Sequence, residues 1–403
     1  MTKAPNVHAA EPIPEAARIA LDELMQSGDL FRYTAPEDAP VALLEQEFAA
    51  LLGCKYALAV SSCSAALFLS LKALNLPRDA RVLIPGFTFA AVPSSVIHAD
   101  CVPVLCEVGE NYRIEMADFE TRLGDDISAV IISHMRGHTS DMDAILALCE
   151  ARGIPVIEDA AHSLGTTWNA RKIGTLGQIG CFSFQSYKMI NAGEGGILIT
   201  NDAELVARAV IMSGAYEHNW QKHKAPLGDN STDLEDAFAK WQNQLPLYNL
   251  RMSNLSAVVI RPQLPELARR VRDGLKNHDY VAAQLNASPY FDVPAPLAPE
   301  QRAPDSIQFN LVGMTDEQIT AFSEATAQAG VKVQIFGRSA DNARAFWNWQ
   351  FIQDLPELPQ TRAMLMQACD VRLPVRLTKE ELDVVAGILV DAATTTMASA
   401  AAA

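Results

Sequence analysis

Lys188 is the residue whose position in the sequence most clearly suggests chemistry. It follows an apolar run at 180–184 that predicts a buried strand, and it precedes a glycine cluster at 193–196. Glycines let the backbone approach a ligand closely. A lysine is usually a solvated charge, but a partly buried one has a lowered pKa and becomes an amine nucleophile. We therefore predict that Lys188 is a reactive amine.

Two other segments that follow predicted strands could hold an anion and a cation. Residues 61–66 place serines and a cysteine ahead of a helix, where N–H groups, hydroxyls and the helix dipole favour an anion. Simple helix capping by serine explains the same pattern. Asp159 ends a strand, where it could hold a positive charge or cap the next segment. Considered alone, Glu158 fits a surface acid and His162 fits a structural histidine.

An anion site, a carboxylate and an amine at one edge of a sheet form the set that pyridoxal phosphate (PLP) requires. The phosphate of this cofactor needs the anion site, its aldehyde needs the lysine, and its pyridine nitrogen needs a carboxylate to stay protonated as an electron sink. A plain nucleotide- or sugar-phosphate-binding protein would explain the anion site, but not Lys188 together with Asp159. The residues favour PLP as the cofactor.

Short apolar runs alternate with helical patterns and would position these residues. Helical spacing is found at 41–52, 64–74 and 141–151, and the apolar runs lie at 56–60, 81–84, 102–108, 129–133, 155–158, 180–184 and 196–200. This alternation is typical of a parallel sheet covered by helices on both faces. In such sheets ligands bind beyond the carboxyl ends of the strands, which is where the three segments lie.

The bulk properties of the chain limit its partners and its location. Its 403 residues suit two domains, and its net charge of −16 argues against nucleic acid or an anionic membrane as a partner. The seven cysteines contain no CxxC pair. The sequence shows no signal peptide and no uninterrupted apolar stretch of membrane-spanning length. We expect a soluble, cytoplasmic protein without a metal site.

The chain is expected to divide into a large cofactor-binding domain at 1–255 and a smaller one at 256–403, with the N-terminal segment able to pack on the smaller one. Residues 216–246 break the pattern as a long charged excursion, and loops of this length are usually functional or mobile. The Ala-rich ending at 392–403 is expected to fray after the last helix.

The chain resembles the DegT/DnrJ/EryC1/StrS family of PLP-dependent aminotransferases over most of residues 15–390. Several motifs occur in the family's order, and none of them fixes the substrate. The motifs are Ser62-Cys-Ser-Ala-Ala-Leu67, Ile84-Pro-Gly-Phe-Thr-Phe89, Glu158-Asp-Ala-Ala-His162, Ser183-Phe-Gln-Ser-Tyr-Lys188, Gly193-Glu-Gly-Gly196, Tyr248-Asn-Leu-Arg-Met-Ser253 and Arg372-Leu-Pro374.

The resemblance implies fold type I of the PLP-dependent transferases, the aspartate-aminotransferase-like α/β fold. Its large domain has a mainly parallel seven-stranded sheet, and its smaller C-terminal domain is α+β. Lys188 would form a Schiff base with the cofactor and then move a proton between the substrate carbon and the cofactor. Asp159 would pair with the pyridinium nitrogen, and Phe89 would stack on the ring.

The resemblance also assigns residues to the rest of the cofactor. Ser64, Ser183 and the N–H groups of Cys63 and Ser64 would hold the phosphate. His162 lies where the family has glutamine or histidine, near the 3-oxygen of the ring. Asn249 would reach the phosphate of the neighbouring subunit's cofactor, which implies a homodimer with shared sites.

Three residues are candidates for the substrate side of the site. Arg251 could steer a carboxylate or phosphate of the substrate. Arg136 replaces an aromatic or small residue of the family and could be an additional anion anchor. Tyr187 precedes the lysine where a small residue is common, which would reshape the substrate side.

The expected activity is transfer of an amino group from glutamate or glutamine to a keto-sugar or a similar polyhydroxylated carbonyl compound. Two alternatives remain open. One is a PLP-dependent sugar dehydratase of the same family, although such members carry histidine at the lysine position. The other is a non-catalytic regulator that retains binding of the cofactor or of a sugar phosphate.

Overall fold

A seven-stranded sheet forms the centre of the larger part of the molecule. The computed structural model describes residues 4–34, 38–214, 216–220, 232–341 and 343–401, so residues 221–231 of the predicted excursion lie outside the described residues. The strands are β1 (Tyr56–Val60), β2 (Arg81–Pro85), β3 (Val102–Cys106), β4 (Ile127–Ser133), β5 (Val156–Asp159), β6 (Thr167–Trp168), β7 (Arg171–Lys172), β8 (Ile179–Ser183), β9 (Gly196–Thr200), β10 (Phe291–Asp292), β11 (Glu300–Gln301), β12 (Ser306–Leu311), β13 (Gln334–Ile335) and β14 (Ala368–Arg372).

The large sheet has the order β1-β9-β8-β5-β4-β2-β3. Strand β9 runs antiparallel to its neighbours β1 and β8, and the other neighbouring strands pair in parallel. The carboxyl ends of β1, β2, β4, β5 and β8 therefore lie at one edge. The predicted mainly parallel sheet of seven strands is confirmed.

Helices cover both faces of this sheet, so its strands are apolar on both sides. Along β1, Leu58 and Val60 pack in one core cluster, whereas Ala57 and Ala59 pack in the other. The helices of the molecule are α1 (Glu15–Ser27), α2 (Pro40–Leu52), α3 (Cys63–Ala73), α4 (Ala91–His98), α5 (Met116–Arg122), α6 (Met142–Glu150), α7 (Ala203–Gly214), α8 (Glu217–Trp220), α9 (Asp233–Trp241), α10 (Asn254–Ile260), α11 (Leu267–Asn286), α12 (Asp316–Gln328), α13 (Pro359–Gln367) and α14 (Lys379–Ala401).

The turn from β1 into α3 is tight. The Ser62 hydroxyl caps α3 by accepting a hydrogen bond from the Ala65 N–H at 3.1 Å. Gly196 of β9 lies against this turn, where a Cβ atom would come within 2.3 Å of the Ser62 carbonyl carbon. Only glycine therefore lets β9 pass so close to the first residues of α3.

The C-terminal part of the chain builds a second, four-stranded antiparallel sheet of order β10-β12-β14-β13. Helices α11, α12 and α14 supply Val281, Phe322 and Leu389 to its core, and Val7 from the N-terminal segment packs in the same core. A third sheet, β11-β6-β7, has three short strands.

The predicted domain boundary after residue 255 remains a prediction. Residues beyond it still pack in the core of the large sheet, among them Ala257, Ile260 and Leu264. Helix α11, which begins at residue 267, contributes to both cores through Leu267 and Val281. We propose a boundary close to the start of α11.

Helix α14 is longer and more apolar than the sequence led us to expect. Its segment Lys379–Ser399 has a mean hydropathy of 1.3, so by length and composition it is able to cross a membrane. A core helix passes the same test, and Leu382, Val385 and Leu389 of α14 pack in the core of the second sheet. The Ala-rich ending is part of α14 as far as Ala401 and does not follow it as a frayed tail, because alanine is the strongest helix former and no glycine or proline interrupts 388–401.

Candidate active site

A cavity of about 1340 Å³ lies at the edge where β1, β2, β4, β5 and β8 end. Loops after these strands form one wall, and residues between 320 and 372 form the other. The structure brings nine of the eleven predicted site residues to this cavity. They are Cys63, Ser64, Phe89, Arg136, Asp159, His162, Ser183, Tyr187 and Lys188.

Lys188 is carried by a loop that is closed at its base by backbone hydrogen bonds. The Phe184 N–H donates to the Gly195 carbonyl at 2.9 Å, and the Ala192 N–H donates to the Phe184 carbonyl at 2.8 Å. The Lys188 N–H in turn donates to the Gln185 carbonyl at 2.9 Å. The end of β8 and the start of β9 thus fix the lysine backbone.

The Lys188 amine lies 2.5 Å from Nε2 of His162. Burial, followed by the charge of Arg136, lowers the pKa of Lys188 to about 8. Burial, followed by the charge of Lys188, also lowers the pKa of His162 well below its usual value. A neutral His162 ring can accept a hydrogen bond from the lysine, and the amine is unprotonated far more often at neutral pH than that of an ordinary lysine.

Asp159 is buried at the end of β5, and the two oxygens of its carboxylate have different partners. Oδ2 accepts a hydrogen bond from the Ser133 hydroxyl at 2.7 Å, and that hydroxyl accepts one from Thr88 at 2.9 Å. Oδ1 accepts from the Ala161 N–H at 3.2 Å and lies 3.9 Å from the Cys63 sulfur. These contacts fix the carboxylate, which still borders the cavity.

The first turn of α3 provides the predicted place for an anion. The first N–H groups of a helix have no partner within the helix. Ser62 caps the N–H of Ala65, which leaves those of Cys63 and Ser64 beside the cavity. The Ser64 side chain is exposed there, and the Ser183 hydroxyl lines the same wall. Both interpretations of the serine-rich segment therefore apply, because one serine caps the helix and the next faces the cavity.

The Cys63 side chain lies between this turn and Asp159. Burial, followed by the charge of Asp159, raises the pKa of its thiol well above the usual value. The thiol is therefore neutral and acts as a small apolar part of the cavity wall.

Two aromatic rings in the cavity are more exposed than large apolar side chains usually are. Phe89 and Tyr187 are each 44% exposed. The guanidinium of Arg372 lies 4.8 Å from the centre of the Tyr187 ring, and its Nη1 donates to the Tyr187 carbonyl at 2.9 Å. Phe89 presents an open face on which a planar ring could stack.

Arg136 links the two sheets. It lies just after β4 with a left-handed backbone (φ 55°), and its Nη2 is 2.7 Å from Oδ2 of Asp370 on β14. Asp370 also accepts a hydrogen bond from Gln308 at 2.7 Å, and Gln308 contacts the His138 ring at 3.0 Å. Arg136 is thus at the cavity, as predicted, but it already has a carboxylate partner.

Asn249 and Arg251 are the two predicted residues that do not line this cavity. Asn249 is exposed and has a left-handed backbone (φ 55°). The Arg251 guanidinium lies 5.0 Å from the ring centre of Tyr216 and 5.6 Å from that of Phe31, and it donates to the Gly214 carbonyl at 3.2 Å. The backbone of Arg251 forms a β-bridge with Val60, directly before the turn into α3.

Glu158, which the sequence presented as a surface acid, is fully buried. Its carboxylate accepts hydrogen bonds from the N–H groups of Gly174, Leu176 and Gly177 at 2.6 to 2.8 Å, and it contacts His134 at 3.1 Å. The surface interpretation is therefore wrong, because this acid satisfies the backbone donors of the loop before β8. Of the two consecutive acids, Glu158 therefore binds the backbone of a loop, whereas Asp159 borders the cavity.

Several cavity residues were not singled out from the sequence. Arg338, Arg344 and Asp370 come from the C-terminal part of the chain, and Arg372 appeared only as part of a motif. They follow no parallel strand of the large sheet. The rule that ligands bind beyond the carboxyl ends of such strands therefore did not point to them.

Comparison with known proteins identifies the group to which this site belongs. The sequence matches the DegT/DnrJ/EryC1/StrS aminotransferase family over residues 15–390. The chain belongs to this family. Members of the DegT/DnrJ/EryC1/StrS family are PLP-dependent aminotransferases, so the predicted family and cofactor are confirmed.

Two curated relatives illustrate the range of the family. The spore coat polysaccharide biosynthesis protein SpsC of Bacillus subtilis is 32% identical over 262 residues, which are 64% of each chain. The 3-amino-5-hydroxybenzoate synthase of Amycolatopsis mediterranei is 27% identical over 352 residues, 86% of this chain and 85% of the synthase. In six further curated relatives the matched segment spans 40 to 58% of their length.

A solved structure of GDP-4-keto-6-deoxymannose-3-dehydratase shares the fold. Its TM-score is 0.81 at 21% identity, with 94% of this chain and 99% of that chain covered. The likeness confirms the predicted fold type I. It also shows that this fold carries more than one activity, so the reaction must be argued from the site.

The residues of the cavity fit PLP. The turn at Cys63 and Ser64, with the Ser183 hydroxyl, suits its phosphate, and Phe89 suits one face of its ring. Asp159 suits the pyridine nitrogen because it is a fixed carboxylate, and Lys188 suits the aldehyde because its amine is readily deprotonated.

Proposed function

We propose that the protein transfers an amino group from glutamate or glutamine to a keto-sugar or a related polyhydroxylated carbonyl compound. The observation that carries this proposal is the position of the Lys188 amine. This amine shares one cavity with the fixed carboxylate of Asp159 and lies 2.5 Å from His162, and its pKa is lowered. An amine and a buried carboxylate at one sheet edge are what transamination requires of a protein.

The roles of the residues follow from their partners. PLP, when bound, supplies an electron sink for the substrate carbon. Asp159 keeps a negative charge where the ring nitrogen would lie, and Ser133 prevents the carboxylate from turning away. The N–H groups of Cys63 and Ser64 and the Ser183 hydroxyl would hold the phosphate of PLP, and Phe89 would pack against its ring.

Lys188 is the general acid and base of the proposed reaction. A pKa of about 8 lets the amine release and take up a proton near neutral pH, which suits proton transfer. His162, neutral because burial lowers its pKa, orients the lysine through their hydrogen bond and can donate the ring's other N–H to an acceptor on the cofactor.

The relatives support a sugar or cyclic polyol as the acceptor. Their names include a UDP-N-acetyl-3-dehydro-alpha-D-glucosamine aminotransferase, a GDP-perosamine synthase and L-glutamine:2-deoxy-scyllo-inosose aminotransferase. Two of these names give a dehydro-sugar and an inosose as the compound that is aminated, and two name nucleotide-linked sugars. This range leads us to propose the substrate class and no single compound.

A sugar dehydratase remains the second candidate because the fold is shared. The family resemblance implies histidine at the lysine position in those members, whereas this chain has Lys188 there with the contacts described above. A regulator that only binds the cofactor would not need an amine of lowered pKa. Both alternatives are therefore less well supported than transamination.

We further propose that the enzyme is a cytoplasmic homodimer with shared active sites and without nucleic-acid partners. Asn249 and Arg251 are displaced from the cavity of their own chain, as residues that serve a partner's site would be. In a two-fold dimer each chain would offer them to the other chain's Lys188.

A screen of the two half-reactions tests the proposed activity. The PLP-loaded enzyme is treated with glutamate or glutamine, freed of the donor, and mixed with a panel of carbonyl compounds while the cofactor spectrum is followed. We expect return of the original spectrum with at least one polyhydroxylated ketone, together with an aminated product by mass spectrometry. Release of water from a deoxysugar substrate without amination would instead identify a dehydratase.

A further inference from the structure

The cavity is less acidic than the rest of the protein. The whole chain has 32 basic and 48 acidic residues. Of the described residues that line the cavity, five are acidic and six are basic, namely Arg136, Lys188, Lys332, Arg338, Arg344 and Arg372. An acidic ligand that the protein as a whole repels could therefore be bound here by local cations.

Most of the arginines in the cavity already have partners. Arg338 pairs with Asp316 at 2.5 Å, and Arg136 pairs with Asp370 at 2.7 Å. Arg372 donates to a backbone carbonyl, lies over the Tyr187 ring, and has Asp305 at 4.0 Å. Each of these guanidinium groups is held in place by protein atoms.

Arg344 differs because it makes no ion pair and no hydrogen bond with any side chain in the described part of the molecule. Its Nε atom is buried without a partner, as are those of the other three cavity arginines, and the Phe336 ring lies 5.7 Å from its guanidinium. Burial, followed by the charge of Arg136, lowers its pKa to about 10. The charges of Asp370 and Asp341 oppose this shift, but neither carboxylate forms an ion pair with Arg344 in the described part of the molecule, so its N–H groups can donate to a bound anion.

The backbone on both sides of Arg344 is bonded to the segment that follows β2. The Ala90 N–H donates to the Ala343 carbonyl at 2.8 Å, and Ala345 forms a β-bridge with Phe87. Arg344 is therefore placed beside Phe89, although it lies far away in the sequence.

The charges of three arginines act on the group next to the reactive amine. Arg136, Arg344 and Arg372 each contribute to the lowered pKa of His162, whose ring is 2.5 Å from the Lys188 amine. These three arginines line the same cavity as the Lys188 amine, so an anion bound by them would share that cavity with the reacting atoms.

We propose that Arg344, supported by Arg136 and Arg372, binds an anionic group of a substrate, either a carboxylate or a phosphate. The proposal rests on the proposed aminotransferase function and assigns the residue that would recognise an acidic group of one of its substrates. The anion is a carboxylate of the amino donor or an acidic group on the carbonyl acceptor. A guanidinium with free N–H groups is the protein group best suited to bind either anion in two-point contact.

Titration of the PLP-loaded enzyme with two simple anions tests the site directly. Glutarate and inorganic phosphate are titrated calorimetrically into the wild-type enzyme, Arg344→Gln and the matched control Arg338→Gln. We expect Arg344→Gln to weaken binding of at least one anion by about tenfold or more, as for loss of a charge-assisted hydrogen bond. Arg338→Gln should change binding less than about twofold, because Asp316 already occupies that guanidinium. Thermal unfolding and the cofactor absorbance of each variant show that it is folded and loaded.

Single-turnover half-reactions identify the source of the anion. One arm measures the reaction with glutamate, and the other offers the aminated enzyme a neutral keto-hexose and its uronic-acid counterpart. A loss of about tenfold or more in the glutamate arm of Arg344→Gln supports a donor carboxylate, and a loss confined to the acidic ketone supports an acceptor anion.

The proposal is overturned if Arg344→Gln binds both anions as the wild type does, if the wild type binds neither, or if Arg338→Gln is weakened equally. Failure of the wild-type enzyme to aminate any carbonyl compound would refute the proposed function instead. The titration would still decide whether the anion site exists, so the two failures are distinguishable.

Discussion

The two walls of the active-site cavity are built in different ways. The cofactor wall consists of loops that follow neighbouring parallel strands, and its key groups, Asp159 and Lys188, are held by short hydrogen bonds to nearby loops. The substrate wall comes from residues between 320 and 372, where Arg338 pairs with Asp316 on α12, Arg372 donates to the Tyr187 carbonyl, and Arg344 has no ion pair in the described part of the molecule. The first wall follows the strand ends of the large sheet, whereas the second belongs to the C-terminal part of the chain and carries most of the arginines of the cavity.

We infer that the residues of the cofactor wall are shared across the wider family, whereas those of the substrate wall distinguish one member from another. A strand end places a carboxylate or an amine in the same position in any chain of this fold. Arginines on the other wall can be exchanged without changing the sheet. We therefore expect changes on the cofactor wall to reduce the rate with every substrate, and changes on the substrate wall to affect acidic ligands selectively.

The largest effect is expected for Lys188→Ala. This variant lacks the amine that moves the proton, so kcat should fall by at least about 10²–10⁴-fold with every donor and acceptor. The control is Lys172→Ala, which removes an exposed lysine far from the cavity and should leave kcat unchanged. Steady-state rates with several substrate pairs provide the measurement. Selective loss with acidic substrates alone would contradict the distinction between the walls.

The consecutive acids Asp159 and Glu158 offer a matched pair of variants. Asp159→Asn removes the charge near the ring nitrogen and should lower kcat by about 10²–10³-fold while leaving the melting temperature nearly unchanged. Glu158→Gln removes a charged acceptor from three buried N–H groups and should lower the free energy of unfolding by about 1–3 kcal/mol, with little effect on kcat of the folded enzyme. Rates and thermal unfolding of both variants are compared. A loss of stability in Asp159→Asn together with a loss of kcat in Glu158→Gln would contradict these two roles.

The pH dependence of cofactor uptake should report the lowered pKa of Lys188. Only the unprotonated amine reacts with the aldehyde, so uptake of PLP by the cofactor-free enzyme should slow about tenfold per pH unit below about 8 and level off above it. Arg136→Gln should move this midpoint upward, because the Arg136 charge disfavours the protonated amine. Visible absorbance after rapid mixing measures the rate. A midpoint near 10.5, the value of an ordinary lysine, would contradict the account.

A smaller effect on activity is expected if a second chain contributes residues to the active site. Lys188→Ala lacks the amine, and Asn249→Ala should bind the cofactor poorly in its partner's site. Random re-pairing of equal amounts should restore about one quarter of wild-type activity, since half of the dimers are mixed and each has one intact site. Native mass spectrometry confirms the exchange of subunits. Activity no higher than the average of the two separate variants would mean that Asn249 does not serve a partner's site.

The cofactor wall could be predicted from the sequence because its signals are local. All seven strands of the large sheet coincide with predicted apolar runs to within a few residues, and the chemistry follows those strands directly. Arg344 gave no such signal, because its position depends on pairing with residues near Phe87 that are more than 250 positions away. The burial of Glu158 was missed because a strand-end acid looks the same in sequence whether it faces water or a loop of N–H groups.

The central claim, that Lys188 is the amine that holds the cofactor, can be tested most directly by chemical labelling. The purified enzyme is loaded with PLP, reduced with borohydride, digested and analysed by mass spectrometry. We expect the mass of the reduced cofactor on the peptide that contains Lys188, with loss of the label in Lys188→Ala. A label on Lys172 or Lys222, or an unlabelled Lys188 peptide in an enzyme that still transaminates, would contradict the account.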